Sequence, residues 1–189
     1  LKTLDELKLS ENTYIIYTTD NGPWLPFRHH GGSAGPLRDG KGTTFEGGQR
    51  VPYVMRGPDI PAGTVCNELT GTIDILPTIA ALTGEPLAGT NKIDGMDVSG
   101  LWKGTSKQSP RKEFLYYTSR GAIEGIRRDN WKLIVKKPRP RNARKPINPR
   151  QTNIEPPKVF LFNLAMDVGE QTNLAEVKPG VVNRLRARM

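Results

Sequence analysis

Asp20, Asn21 and Gly22 follow directly on the β-branched and aromatic run Thr13-Tyr14-Ile15-Ile16-Tyr17-Thr18-Thr19. A carboxylate beside a carboxamide oxygen offers two hard donors, suited to Ca²⁺ or Mg²⁺ and ill suited to soft metals. Taken alone, Asp-Asn-Gly is also ordinary turn sequence. Lys41 lies between Gly40 and Gly42 in a glycine-rich stretch that runs from Gly35 to Gly48. Glycines let the backbone approach a ligand closely, and the ammonium is a compact charge for an oxyanion. The spacing is not that of a P-loop, and a glycine-flanked lysine by itself reads as a solvated loop residue. His29 and His30 are the only histidines, and His30 is a candidate substrate contact from the long loop. Trp24 and Phe27 flank them as a loop hydrophobic cluster or part of a pocket wall. Arg50 and Glu46 read as a structural ion pair that holds this loop.

The elements that must position these groups are legible from pattern. Leu1, Leu4, Leu7 and Leu9 stand at near-helical spacing among charges, and Ser10-Glu11-Asn12 ends that segment. The run Thr13–Thr19 has the composition of a strand buried on both faces of a parallel sheet. In open α/β sheets ligands gather beyond the carboxyl ends of such strands, which is where Asp20 stands. The loop from Gly22 to Gly48 is too long for an idle connection. Val51–Arg56 reads as another strand. Asp74 is placed to cap a helix over Ile75–Leu82, with Pro77 in its first turn and Gly84 as its stop.

The character of the chain changes near Pro110, giving residues 1–110 as part of an α/β core and 111–189 as a smaller α+β unit. Glu113–Tyr117, Ala122–Arg127, Trp131–Val135 and Val159–Asn163 are short strands separated by turn residues. A helix from about Gly180 closes the chain, so a small antiparallel sheet with one helix on it is expected.

Composition limits the function classes. The 189 residues are 35% hydrophobic and include one cysteine, Cys66, so no internal disulfide framework or multi-cysteine metal knuckle is available. No apolar run approaches the ~20 residues of a bilayer span, and the acidic, helix-like first residues do not read as a signal peptide. The net charge of +9 is local: Lys136, Lys137, Arg139, Arg141, Arg144, Lys145 and Arg150 lie in one stretch without an acid. Prolines at 138, 140, 146, 149, 156 and 157 make 136–157 a long excursion between two strands. This strip is either a solvated loop or a rim for anionic polymers. No aromatic residue is interleaved for base stacking, which argues against nucleic acid.

The ordered set Thr18-Thr19-Asp20-Asn21-Gly22-Pro23, Gly35-Pro36-Leu37-Arg38 and Gly40-Lys41-Gly42-Thr43-Thr44-Phe45-Glu46-Gly47-Gly48-Gln49-Arg50-Val51-Pro52 resembles the sulfatase family, with the nearest look to its arylsulfatase A-like branch. Asp74–Ala80, Leu161–Asp167 and Glu170–Leu174 agree with it. The resemblance covers nearly the whole chain but only the C-terminal portion of a typical sulfatase. It implies an alkaline-phosphatase-like α/β core portion followed by a small antiparallel sheet with a C-terminal helix. It also implies sulfuric ester hydrolysis, with Asp20 and Asn21 ligating a divalent cation, usually calcium, and Lys41 holding the sulfate group of a sulfate ester or sulfated glycan. The family's nucleophile, a formylglycine made from Cys or Ser in a Cys/Ser-x-Pro/Ala-x-Arg motif, does not match Cys66 in Thr64-Val65-Cys66-Asn67-Glu68. The nucleophile and the other metal ligands are therefore expected from an N-terminal half missing from this chain, and the chain alone is expected to be inactive. Export to a periplasmic, extracellular or lysosomal-type compartment is the family expectation.

Two other readings stay open on the residues alone. Phosphate mono- or diester hydrolysis uses the same metal and oxyanion clamp. A non-catalytic chain could instead bind anionic polymers through its basic strip. If the neighbours of Thr13–Thr19 lie outside this sequence, the isolated chain is expected to expose apolar sheet surface and aggregate.

Overall fold

The computed structural model describes residues 1–87, 89, 92–136 and 158–189. Apart from Lys136, the basic Pro-rich stretch lies outside the described residues. In chain order the elements are α1 (Lys2–Glu6), β1 (Ile15–Thr18), α2 (Glu46–Gln49), β2 (Tyr53–Arg56), α3 (Ile75–Thr83), α4 (Ser99–Trp102), β3 (Glu113–Tyr117), β4 (Ile123–Arg128), β5 (Trp131–Lys136), β6 (Lys158–Asn163) and α5 (Pro179–Arg186). Short 3₁₀ segments occupy Ser10–Asn12, Leu25–His30 and Thr72–Asp74, the second of them kinked at Arg28. The chain divides into two units, Leu1–Thr19 with Pro52–Lys112 and Asp20–Val51 with Glu113–Met189. Residues 20–51 group with the sheet that follows Lys112 and not with their sequence neighbours on either side.

In the first unit β1 pairs antiparallel with β2, placing Ile16 opposite Met55 and Tyr17 opposite Val54. Ile16 and Met55 pack on Val98, Leu101 and Trp102 together with Leu82. Alternation along each strand sends the next residues the other way. Tyr17 and Val54 are accordingly 66% and 63% exposed. This corrects the expectation of a strand buried on both faces of a parallel sheet. The β-branched run specifies a strand, but burial of both faces needs neighbours and covering layers that the described residues do not supply.

The helix over Ile75–Thr83 forms as its pattern requires and stops at Gly84, whose φ of 73° is the left-handed geometry that favours glycine. Asp74 does not cap it through its side chain. The carboxylate instead accepts the Gly71 N–H at 2.8 Å, the Met96 N–H at 2.8 Å and the Arg111 Nε–H at 2.9 Å, with a second contact from Arg111 Nη2. Both side chains are buried. Asp74 thus ties three separate stretches of the unit to one point. Burial works against its charge, yet the Arg111 guanidinium and the two N–H groups hold its carboxyl below the usual range.

In the second unit β3, β4, β5 and β6 form an antiparallel meander in chain order. Ile126, Leu133 and Leu161 share one face and are covered by Val182 and Leu185 of α5. The Pro at the first helical position and the apolar spacing of Val181, Val182 and Leu185 suit α5 to that role. Ile134 and Phe162 alternate onto the opposite face, where they meet Phe45 and Leu164. The segment ending in α2 therefore covers the face that α5 leaves. A bulge sets Tyr117 opposite Ile123 and Tyr116 opposite Gly125, leaving Glu124 as the extra residue. Glu124 turns to accept the Thr44 hydroxyl at 2.9 Å.

Two outcomes follow. Asp74→Asn leaves Arg111 buried without its counter-charge and should lower the unfolding free energy at neutral pH by about 3–5 kcal/mol. Because the folded carboxyl is held low, its contribution is present above the ordinary value of 3.8 and is lost as pH falls through the lowered one. Urea melts at pH 7 and pH 3 should therefore differ less for Asp74→Asn than for the wild type. Separately, Val54→Lys on the exposed ribbon face should reduce light scattering of concentrated protein while leaving the melt within about 0.5 kcal/mol.

Candidate functional site

The segments carrying Asp20-Asn21 and Lys41 meet through their backbones. The Lys41 N–H donates to the Pro23 carbonyl at 2.9 Å, and the Gly22 N–H donates to the Gly48 carbonyl at 3.2 Å. Gly22 is required by this approach. A Cβ there would stand 1.7 Å from the Gly47 carbonyl oxygen, well inside contact distance. Gly47 faces the same limit from the other side, because a Cβ on it would lie 2.2 Å from the Asp39 carbonyl oxygen. The glycines thus serve backbone-to-backbone packing at this junction, and their effect is to bring residues 20–23 beside residues 40–48.

Asp20 is exposed and Asn21 is half-buried. Lys41 is exposed, with its ammonium 5.8 Å from the centre of the Trp24 ring. Trp24 stacks on Phe27 with ring centres 4.3 Å apart, so the aromatic pair forms a solvent-facing cluster next to the lysine. His29 and His30 end the 3₁₀ turn Leu25–His30 and are both exposed. Asp20 and Asn21 supply two hard oxygen donors at the end of β1, in keeping with an alkaline-earth cation. They do not fill a shell of about six to eight oxygens. Among the described residues no group of three or more His, Cys, Asp and Glu stands ready to hold a metal ion.

The expected ion pair between Arg50 and Glu46 is not formed. Arg50 is exposed and reaches Glu46 only through its N–H, which donates to the Glu46 carbonyl at 2.7 Å. The Glu46 carboxylate points the other way, into the sheet. It lies 2.8 Å from Lys132 Nζ and 4.0 Å from Arg127 Nη1. The reason is position: Glu46 opens α2 on the covered face of β4 and β5, where Arg127 and Lys132 stand opposite each other, while Arg50 has already left the helix.

Sequence reading missed this buried cluster. Lys132 and Glu170 are 0% exposed and Glu46 is 2% exposed. Lys132 Nζ is 3.0 Å from Glu170 Oε1, and the second Glu170 oxygen accepts the Glu46 N–H at 2.6 Å. The Tyr116 ring lies under the same ammonium, 4.6 Å from its centre. Two carboxylates and two cations nearly balance, which is what keeps charge tolerable at this depth. Burial raises the Glu170 carboxyl above its usual value, with Lys132 and the Glu46 N–H opposing. Burial, and then the neighbouring Glu46 charge, also pushes the Tyr116 hydroxyl upward. The available signal was a lysine inside the apolar run Trp131–Val135, whose alternation places it on the inner face with Ile134.

Comparisons with known proteins agree with the motifs. The Sulfatase family profile matches residues 1–85. Human arylsulfatase A is 36% identical over 98% of this chain, and the matched region is 39% of its own length. A structure reported under the metabolism of multiple glycosaminoglycans by Bacteroides thetaiotaomicron superposes with a TM-score of 0.78 at 28% identity, covering 99% of this chain and 40% of that one. The PsFucS1 sulfatase from Pseudoalteromonas sp. gives 0.77 at 28% identity, covering 100% and 38%. This chain thus spans about two fifths of the length of the relatives it matches.

Gly22→Ala should force the two backbones apart, costing about 1–3 kcal/mol and deprotecting the Lys41 amide in hydrogen exchange. A Gly35→Ala control meets no atom within 4 Å, and although its φ of 59° disfavours alanine, it should leave the Lys41 amide protected. With its motifs, its fold and its relatives in accord, the chain belongs to the sulfatase family.

Proposed function

We propose that this chain contributes the anion-holding lysine and two cation ligands to a sulfate-ester hydrolase site. The observation that carries the reading is the backbone junction that sets Lys41 beside Pro23, two residues beyond Asn21, in a chain of the sulfatase family. Lys41 meets a sulfuryl oxygen with a full positive charge, which counts most where the substrate has displaced water and the effective dielectric is low. Its protonated ammonium balances charge on the transferring group or on the departing oxygen. Asp20 and Asn21 are the residues that would hold calcium, or magnesium in its place. The bound cation would supply Lewis-acid polarisation of the sulfate ester.

The formylglycine nucleophile and the remaining ligands are assigned to sequence N-terminal to Leu1, so the 189 residues alone turn over no ester. That same sequence is proposed to cover the exposed β1–β2 face. The substrate class proposed is a sulfated glycan. The glycosaminoglycan setting of one structural relative and the run of cations at 137–150 support it, since a dense run of basic residues draws in a polyanion with a salt-sensitive rate. Export from the cytosol accords with such a substrate.

The test is sulfate release from aryl and glycan sulfates by this chain joined to its N-terminal sequence, with calcium present. Lys41→Ala should lower kcat/KM about 10²–10³-fold, the scale for loss of one oxyanion-stabilising group. Asp20→Asn should raise the calcium needed for half-maximal rate. Wild-type rate from Lys41→Ala would overturn the assignment. Deleting 137–150 should slow turnover of a polymeric substrate at low salt and leave a small aryl sulfate unaffected.

A further inference from the structure

The fold contains a buried lysine that sulfate-ester chemistry does not use. Lys132 is the second residue of β5 and has no exposed atom to offer a ligand, and both its carboxylate partners belong to segments outside the sheet. A well-packed apolar trio would stabilise such a position as well or better. What the charges add is direction. Lys132 fixes the Glu46 carboxylate, and Glu170 captures the N–H of the same residue at 2.6 Å. The first residue of α2 is thereby held by both its side chain and its backbone.

The hold continues to the site in a short series of bonds. The Glu170 carbonyl accepts Arg38 Nη1 at 2.8 Å, and the Arg38 carbonyl accepts the Gly47 N–H at 2.7 Å. The Gly48 carbonyl then accepts the Gly22 N–H, and the Pro23 carbonyl accepts the Lys41 N–H. Glu170 itself sits at a φ of +52°, a conformation that a side chain of this kind disfavours and that persists only where its surroundings impose it. Such strain is consistent with a residue kept for where it points.

We propose that Lys132 is a positioning residue: by clamping Glu46 against Glu170 it sets the register of residues 38–48 on the sheet, and so sets where Lys41 stands relative to Asp20 and Asn21. The functional consequence rests on the reading of Lys41 as the sulfate-holding group; the clamp itself does not. Lys132 acts through Glu46 and touches no substrate.

Hydrogen exchange on the full 189-residue chain separates the two. In Lys132→Met, protection of the Gly22, Lys41 and Gly47 amides should fall at least about tenfold while the strand amides of Ile126, Leu133 and Leu161 stay within about twofold, because local opening is cheaper than global unfolding. Val182→Ala, on the opposite face of the sheet, is the control. It should lower protection of strands and loop together, as any purely structural loss would. Equal loss in loop and strands for Lys132→Met, or an unchanged loop, overturns the clamp. If Lys132→Met does not fold, Glu170→Gln, which keeps the volume and removes the charge, is read by the same two criteria.

Inorganic sulfate, titrated against the Lys41 amide resonance, reads the consequence. Sulfate affinity that is lost in Lys41→Ala and falls about tenfold in Lys132→Met is expected; tenfold is about 1.4 kcal/mol. Loss in Lys41→Ala with no change in Lys132→Met overturns positioning while sparing the proposed function. Indifference to Lys41→Ala overturns the sulfate-holding role, and the exchange ratio still decides the clamp.

Discussion

A single ammonium, that of Lys132, holds two carboxylates from distant parts of the sequence inside the C-terminal unit. Glu46 and Glu170 are 124 positions apart, and neither could be buried ionised without a counter-charge. Around this group the sheet divides its labour. One face packs Ile126, Leu133 and Leu161 beneath α5. The other receives Phe45 on Ile134 and Phe162, with the charged cluster beside it. Arg38 and Lys136 add cations over the Phe45 ring, at 4.0 and 4.2 Å from its centre. The apolar contacts supply adhesion without direction, and the ion cluster supplies direction.

That arrangement explains why a glycine-rich loop, which has much backbone freedom to lose, settles in one place. Its covered end is tied to the sheet, and Gly48 and Lys41 each close on the backbone of residues 22 and 23 through one bond. Lys41 is left exposed on a fixed backbone. An exposed charge on an anchored loop suits a group that must meet an anion from solvent, whereas a buried one would carry a desolvation cost before binding. The first unit reaches order by a different device, the Asp74 carboxylate shared among Gly71, Met96 and Arg111.

Much of this was legible in sequence because it is written in local patterns. The period-two runs after residue 112 gave all four strands of the meander, and the spacing near the chain end gave α5. The glycine at position 84 stopped α3 as its type requires. The motif residues Asp20, Asn21 and Lys41 stood out through their neighbours. What could not be read was non-local. The antiparallel partner of β1 depends on how Tyr53–Arg56 returns, which no window of sequence contains. Arg50 was matched to Glu46 by proximity along the chain, but the partners of Glu46 come from β4 and β5. Asp74 looked like a cap for α3 and was claimed by Arg111, 37 positions away. Lys132 was hidden by the general rule that lysines face water.

The most direct measurement of the central claim is an amide spectrum of the isotopically labelled chain, recorded first with sulfate and then with Mn²⁺ as a paramagnetic stand-in for calcium. If the cation ligands and the anion-holding lysine share one site, Mn²⁺ should broaden Asn21 and Gly22 first and Lys41 with them, and sulfate should shift the same Lys41 and Gly42 signals. Broadening confined to residues far from Asp20, or a sulfate response that bypasses Lys41, would contradict it.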